Sequence, residues 1–116
     1  MFDFEKLTVY TKATEFVKMV RKLLTSLPQL DRSSRSQLNR AALSILLNIA
    51  EGSGRFTKPD KRNFFVIARG SVFECVALLK FLEAEGILTK QQILKLYNQA
   101  EELSKMLYTM IQILKK

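Results

Sequence analysis

Few residues in this chain are equipped for chemistry: Glu51 and Glu74, the single thiol Cys75, Tyr10, Tyr97 and Tyr108, and the turn Gly52-Ser53-Gly54-Arg55. Histidine is absent, which removes the usual general base near neutral pH, the commonest metal ligand and every nucleophile that depends on an imidazole partner. The carboxylate di-metal sites of helical bundles also need Glu-x-x-His pairs, so that class is excluded. Glu51 and Glu74 do not make the acidic cluster a hard cation requires. Glu51, four residues before Arg55, reads as one half of a helix-end ion pair. The glycine turn lacks the spacing and the Lys-Ser/Thr of a phosphate loop. Cys75 falls on a helical core position and is expected to behave as a small, inert hydrophobe. These readings predict no catalytic residues, no metal and no cofactor. A metal-dependent nuclease, the enzymatic alternative, would lose activity on Glu51→Gln or Glu74→Gln.

The cations are more informative. Lys and Arg number 19 against 11 Asp and Glu, a net charge of +8 with a pI near 9.8. An excess of that size favours an anionic partner, RNA or DNA above all. Arg55, Lys58, Lys61 and Arg62 surround the helix start at Thr57-Lys58-Pro59-Asp60, where the helix dipole is already positive and folding gains nothing from cations. Arg32 and Arg35 lie at the opposite connection, between the first and second helices. The expectation is two basic end regions that contact phosphates and weaken as salt rises. No base-reading module or exposed aromatic platform is legible in the sequence.

Positioning these residues falls to four periodic stretches. The first, about Thr8 to Ser26, places Tyr10, Ala13, Val17, Val20 and Leu24 three and four apart and stops at Pro28. The second is predicted to open with a Ser34–Gln37 capping box, to carry Leu38, Ala42, Ile45 and Ile49 inward, and to end at Gly52 and Gly54, glycines free to take positive φ. The third opens on a Thr57 cap with Pro59 in its first turn, and its predicted seam is Phe64, Ala68, Ser71, Cys75, Leu78 and Leu82. The fourth opens on Thr89 with Gln92 completing a capping box, and buries Ile93, Leu96, Ala100, Leu103, Leu107, Met110 and Leu114. Strand signals are missing, so the fold class is all-α: an antiparallel up-down-up-down four-helix bundle forming one domain over residues 1–116. One cysteine, no basic-plus-apolar leader after Met1 and no apolar run of spanning length lead us to expect a soluble cytoplasmic protein with no membrane partner.

The third helix carries more apolar residues than one seam needs. Phe65, Val66, Phe73, Val76 and Phe81 lie off the predicted stripe, and a second apolar face on a soluble helix is best explained by burial against another copy. Gly70, interior to the same helix, costs about 1 kcal/mol relative to Ala, which close approach of another helix backbone would offset. Val66, Arg69, Gly70, Phe73 and Val76 are therefore the expected oligomer interface, with Arg69 paired to Glu51 or Glu74. Asn48, Glu51, Ser71 and Glu74 are expected to form a structural polar network between helices.

Phe4 to Ala13 (FEKLTVYTKA), Gln37 to Arg55 (QLNRAALSILLNIAEGSGR), Asp60 to Glu74 with its Ala68-Arg69-Gly70-Ser71, and Glu85 to Leu88 together resemble a family of small bacterial four-helix bundles. These are the products of intervening sequences in large-subunit ribosomal RNA genes, with the accessory variability determinant proteins of diversity-generating retroelements among them. Asn48-Ile49-Ala50-Glu51-Gly52 and Arg69-Gly70-Ser71 with Glu74 are its specific parts; many relatives carry proline where this chain has Leu46. The resemblance implies an antiparallel four-helix bundle and, from the retroelement branch, a ring-shaped homopentamer whose basic surface binds nucleic acid and a reverse transcriptase. The function it leads us to expect is a non-enzymatic, oligomeric nucleic-acid-binding accessory protein. A protein-interaction scaffold is the alternative.

Overall fold

The computed structural model describes residues 1–116 and contains four α-helices and no strands: α1 (Thr8–Thr25), α2 (Arg32–Ser53), α3 (Lys58–Ala84) and α4 (Lys90–Leu114). A short 3-10 turn, Asp3–Lys6, precedes them and packs on α1 and α2. Each helix packs against its sequence neighbours, and α1 closes on α4. The diagonal pairs α1–α3 and α2–α4 do not meet, so the helices stand at the corners of a square.

Cross-helix contacts fix the direction of travel. Arg35 on α2 reaches Leu24, and Asn39, one turn later, reaches the earlier Arg21. Lys61 on α3 reaches Ser53, and Ser71 reaches Ser44. Arg62 reaches Leu114, and Arg69 reaches Ser104. In every pair one residue number rises as the other falls, so consecutive helices run antiparallel. The connections are short enough to require this.

Local chemistry sets the helix starts. The side chains of Asp31, Thr57 and Thr89 accept from the backbone amides of Ser34 (2.9 Å), Asp60 (3.2 Å) and Gln92 (3.1 Å). The Thr89–Gln92 box is complete, because the Gln92 side chain accepts from the Thr89 amide at 2.8 Å. At α2 the expected Ser34 cap is replaced by Asp31, whose carboxylate takes the Ser34 amide, and α2 therefore starts at Arg32. That hydrogen bond favours the ionised form and holds the Asp31 carboxyl below its ordinary range.

The core is one cluster of 25 buried apolar residues, drawn from all four helices and from Leu30 and Leu88 in the connections. Its phase on α3 differs from the predicted seam. Phe65, Ala68, Ser71, Val72, Cys75, Leu79 and Leu82 are buried, whereas Phe64 and Leu78 are only half-buried. Gly52 explains the choice. It is buried within α2, not in a positive-φ turn, and an added Cβ would lie 2.8 Å from Phe65 Cε1 and 2.9 Å from Phe64 Cβ. The missing side chain lets the Phe65 ring enter the core. The sole positive φ belongs to Gly86, in the α3–α4 turn.

Candidate functional site

The six cations expected to contact phosphate fall at opposite ends of the bundle. Around the start of α3, Lys61 Nζ donates to the carbonyl of Ser53 at 2.8 Å, Arg62 Nη1 to that of Leu114 at 3.1 Å and Lys58 Nζ to that of Lys116 at 3.2 Å. Ser53 and Leu114 end α2 and α4. Antiparallel packing sets the α3 N-terminus beside two helix C-termini, whose last carbonyls lack intrahelical partners and carry negative dipole charge. The expectation that folding gains nothing from cations here is corrected by these bonds, since they cap the neighbouring helices. Arg55 forms an ion pair with Glu51 at 2.5 Å and lies 4.5 Å over the Phe64 ring.

At the other end Arg35 plays the same capping part for α1. Its guanidinium donates to the carbonyl of Leu24 at 2.8 Å and to that of Leu27. Arg32 stays exposed, with neither a hydrogen bond nor an ion pair from its side chain. Between α1 and α2 these two join Arg21 and Asn39 along a groove that sequence reasoning missed, because it depends on how the last turns of α1 register against the first turns of α2.

Aromatic residues also remain outside the core. Phe56, in the α2–α3 turn, is 100% exposed and Phe2 is 73% exposed. Phe2 stacks on Phe4, which packs on Tyr10 with ring centroids 4.7 Å apart. Phe2 and Phe56 flank a cleft that also contains Asp3, Glu51 and Asp60. The sequence reading of no exposed aromatic platform is corrected here. Its signal was a phenylalanine between a helix end and a Thr cap, with no helical face to carry it inward.

The expected interface residues lie along one edge. Val66 and Phe73 are 50% and 56% exposed and Gly70 is open, with nothing within 4 Å of an added Cβ. Val76 is half-buried against the core, and Phe65 belongs to the core and adds no free apolar surface. Arg69 pairs with neither Glu51 nor Glu74. Its Nε donates to the carbonyl of Ser104 at 3.2 Å, and its guanidinium lies over the rings of Phe73 (4.8 Å) and Tyr108 (5.5 Å). Phe73 thereby stands between two shallow clefts along the α3–α4 seam, one with Val66, Gly70 and Tyr108, the other with Val76, Ala77 and Tyr97.

The polar network is smaller than expected. Asn48 Nδ2 donates to the Ser44 carbonyl at 2.8 Å and to Ser44 Oγ at 3.1 Å, and Ser44 Oγ is 2.8 Å from Ser71 Oγ. Ser44 is the bridge. Glu51 is occupied by Arg55, and Glu74 is exposed without an ion pair, so neither joins it.

The sequence profile of the 23S rRNA-intervening sequence proteins matches residues 5–109, nearly the whole chain. The chain belongs to that family. A solved structure described as a protein of unknown function from the S23 ribosomal protein family, from Bacteroides thetaiotaomicron VPI-5482, shares the fold with a TM-score of 0.83 at 24% identity. The match covers 90% of this chain and 98% of that one. No curated protein matches. In this intervening-sequence protein no helix is long and apolar enough to cross a membrane, and no three His, Cys, Asp or Glu side chains gather where they could hold a metal ion. Cys75 has no accessible surface, and burial, helped by the Glu74 charge, pushes its thiol up to about 12.

Proposed function

We propose that this chain is a non-enzymatic accessory protein that self-associates along the α3–α4 seam and binds nucleic acid through phosphate contacts at its basic ends. One observation carries the reading: four of the 19 Lys and Arg side chains lie within 4.0 Å of a carboxylate, and the other 15 outnumber the seven unpaired Asp and Glu by eight. Uncompensated surface charge of one sign raises the local concentration of a polyanion and speeds its association. Assembly through Val66, Gly70 and Phe73 repeats that charge on every copy, so a strand meets several weak sites at once and gains avidity. A ring of five, the size carried by the retroelement relatives, is the assembly we propose.

The experiment is fluorescence anisotropy of labelled RNA and DNA across a salt series. Binding at low salt that weakens linearly in log–log form supports the reading. Absence of binding at low salt, or indifference to salt, contradicts it. A second reading, an oligomeric scaffold for a partner protein such as a reverse transcriptase, draws on the Phe2–Phe56 cleft: its three carboxylates outnumber its one cation, Arg55, and disfavour phosphate, while its exposed rings suit an apolar, basic polypeptide surface. Capture of such a partner that survives nuclease and high salt would favour it.

A further inference from the structure

We infer that the groove between the end of α1 and the start of α2 is a phosphate-binding site, in which Arg21, Arg32, Arg35 and Asn39 hold a phosphate group. The inference rests on the nucleic-acid reading for its natural ligand and deepens it by locating the site. The groove has a volume of about 450 Å³ and gathers three guanidiniums with Ser36, and no carboxylate lines it. None of the three arginines forms an ion pair. Three like charges in one small groove repel one another, an arrangement that a bound anion relieves.

Two of the three guanidiniums make hydrogen bonds to neighbouring groups of the fold. Arg35 is anchored on the Leu24 and Leu27 carbonyls, and Arg21 donates through Nε to Asn39 Oδ1 at 3.1 Å. A guanidinium carries several N–H donors in a rigid planar fork, so each keeps donors for an oxyanion after these bonds are made. The Arg21 bond also orients Asn39, whose oxygen accepts from arginine and whose amide N–H groups are left to donate. Donors already held by hydrogen bonds lose less freedom on binding than unbonded ones. The Asp31 carboxylate is directed to the Ser34 amide and is not part of the lining.

Position supports the assignment. The helices contact one another in the cyclic order α1, α2, α3, α4, so the α1–α2 edge is opposite the α3–α4 seam. Copies joined through α3 and α4 therefore keep this groove open and repeat it around the outside of the assembly. The start of α3 differs in its carboxylates: there Arg55 is paired with Glu51, and Asp60 lies in the first turn.

The test compares Arg21→Gln/Arg32→Gln with Lys105→Gln/Lys116→Gln, which removes the same charge elsewhere; Arg35 is left intact because it caps α1. Pyrophosphate and inorganic phosphate are titrated into each protein while NMR follows the arginine Nε–H and Asn39 side-chain amide signals. Saturable shifts confined to the groove, lost in the first variant and kept in the second, are expected. Shifts spread over the whole surface, or equal loss in both variants, would overturn the site. RNA binding is then measured against salt. The groove variant should lower the log–log slope by about 1.4 per engaged copy for a single strand or about 1.8 for a duplex. RNA that displaces pyrophosphate identifies the backbone as the source of the phosphate, and saturation that RNA does not disturb identifies a free phosphate compound. If the native protein binds no RNA or DNA, the functional reading fails while the pyrophosphate titration still decides the groove.

Discussion

Two glycines predict opposite responses to the same substitution. At Gly52 a Cβ would meet Phe65 Cε1 at 2.8 Å and the backbone-attached Phe64 Cβ at 2.9 Å. Phe65 is buried and Phe64 cannot move its Cβ without moving α3. Overpacking of this kind costs about 1–3 kcal/mol, and the helix-propensity gain of Gly→Ala, about 1 kcal/mol in a helix interior, is reduced in the final turn. Gly52→Ala should therefore destabilise the chain by about 1–2 kcal/mol, lowering the melting temperature by about 4–8 °C. At Gly70 nothing lies within 4 Å, so Gly70→Ala should stabilise an isolated chain by about 1 kcal/mol. If that face meets another copy, the added methyl separates the two backbones. Urea unfolding at several protein concentrations distinguishes these effects. The native midpoint should rise with concentration, because association stabilises by mass action. The Gly70→Ala midpoint should be higher at the lowest concentration and respond less. A Gly70→Ala protein that associates as readily as the native chain would refute the reasoning for Gly70, and a stabilised Gly52→Ala would refute it for Gly52.

Other expectations follow from the same geometry. Arg35→Ala removes the cap on α1 and should cost about 1–3 kcal/mol, whereas Arg32→Ala, with no partner to lose, should change urea stability by less than about 0.5 kcal/mol; equal effects would deny Arg35 its capping role. Cys75 should resist thiol reagents in the folded protein. Its folded-state pKa is raised above the ordinary 9.0, so its contribution to stability is intact below pH 9 and is lost between pH 9 and about 12 as the unfolded chain ionises and the folded one does not. The stability difference between the native protein and Cys75→Ala should therefore shift against the native protein by about 1.4 kcal/mol per pH unit above 9, and a flat difference would contradict the burial. Phe73→Glu should leave the helical content unchanged and weaken self-association at least tenfold by light scattering, since Phe73 is exposed between the two seam clefts.

Much of the fold was legible because local signals agree. Thr57 with Pro59, and Thr89 with Gln92, have few alternative readings, and the structure uses both. Ambiguity entered where two residues could do one job. Asp31 and Ser34 are both of residue types that cap helices, and the chain uses Asp31. The run Phe64 to Ala68 is unbroken apolar sequence, so periodicity alone fits two phases. Only the space at Gly52, on another helix, selects Phe65. The roles of the basic residues were the least legible part. Lys61 and Arg62 oppose their own helix dipole yet serve the ends of neighbouring helices, a relation that exists only once the register is set. Arg21 and Asn39 are 18 positions apart, and nothing in either residue's surroundings announces the groove they share.

Sedimentation velocity of the protein with a fluorescent RNA, followed through the label at rising salt, tests assembly and binding together. At low salt the RNA should travel with a species several times heavier than the 13.4 kDa chain, and it should be released as salt rises while the protein stays assembled. RNA that sediments alone at low salt, or a protein that remains a 13.4 kDa particle at the highest concentration, would contradict the account.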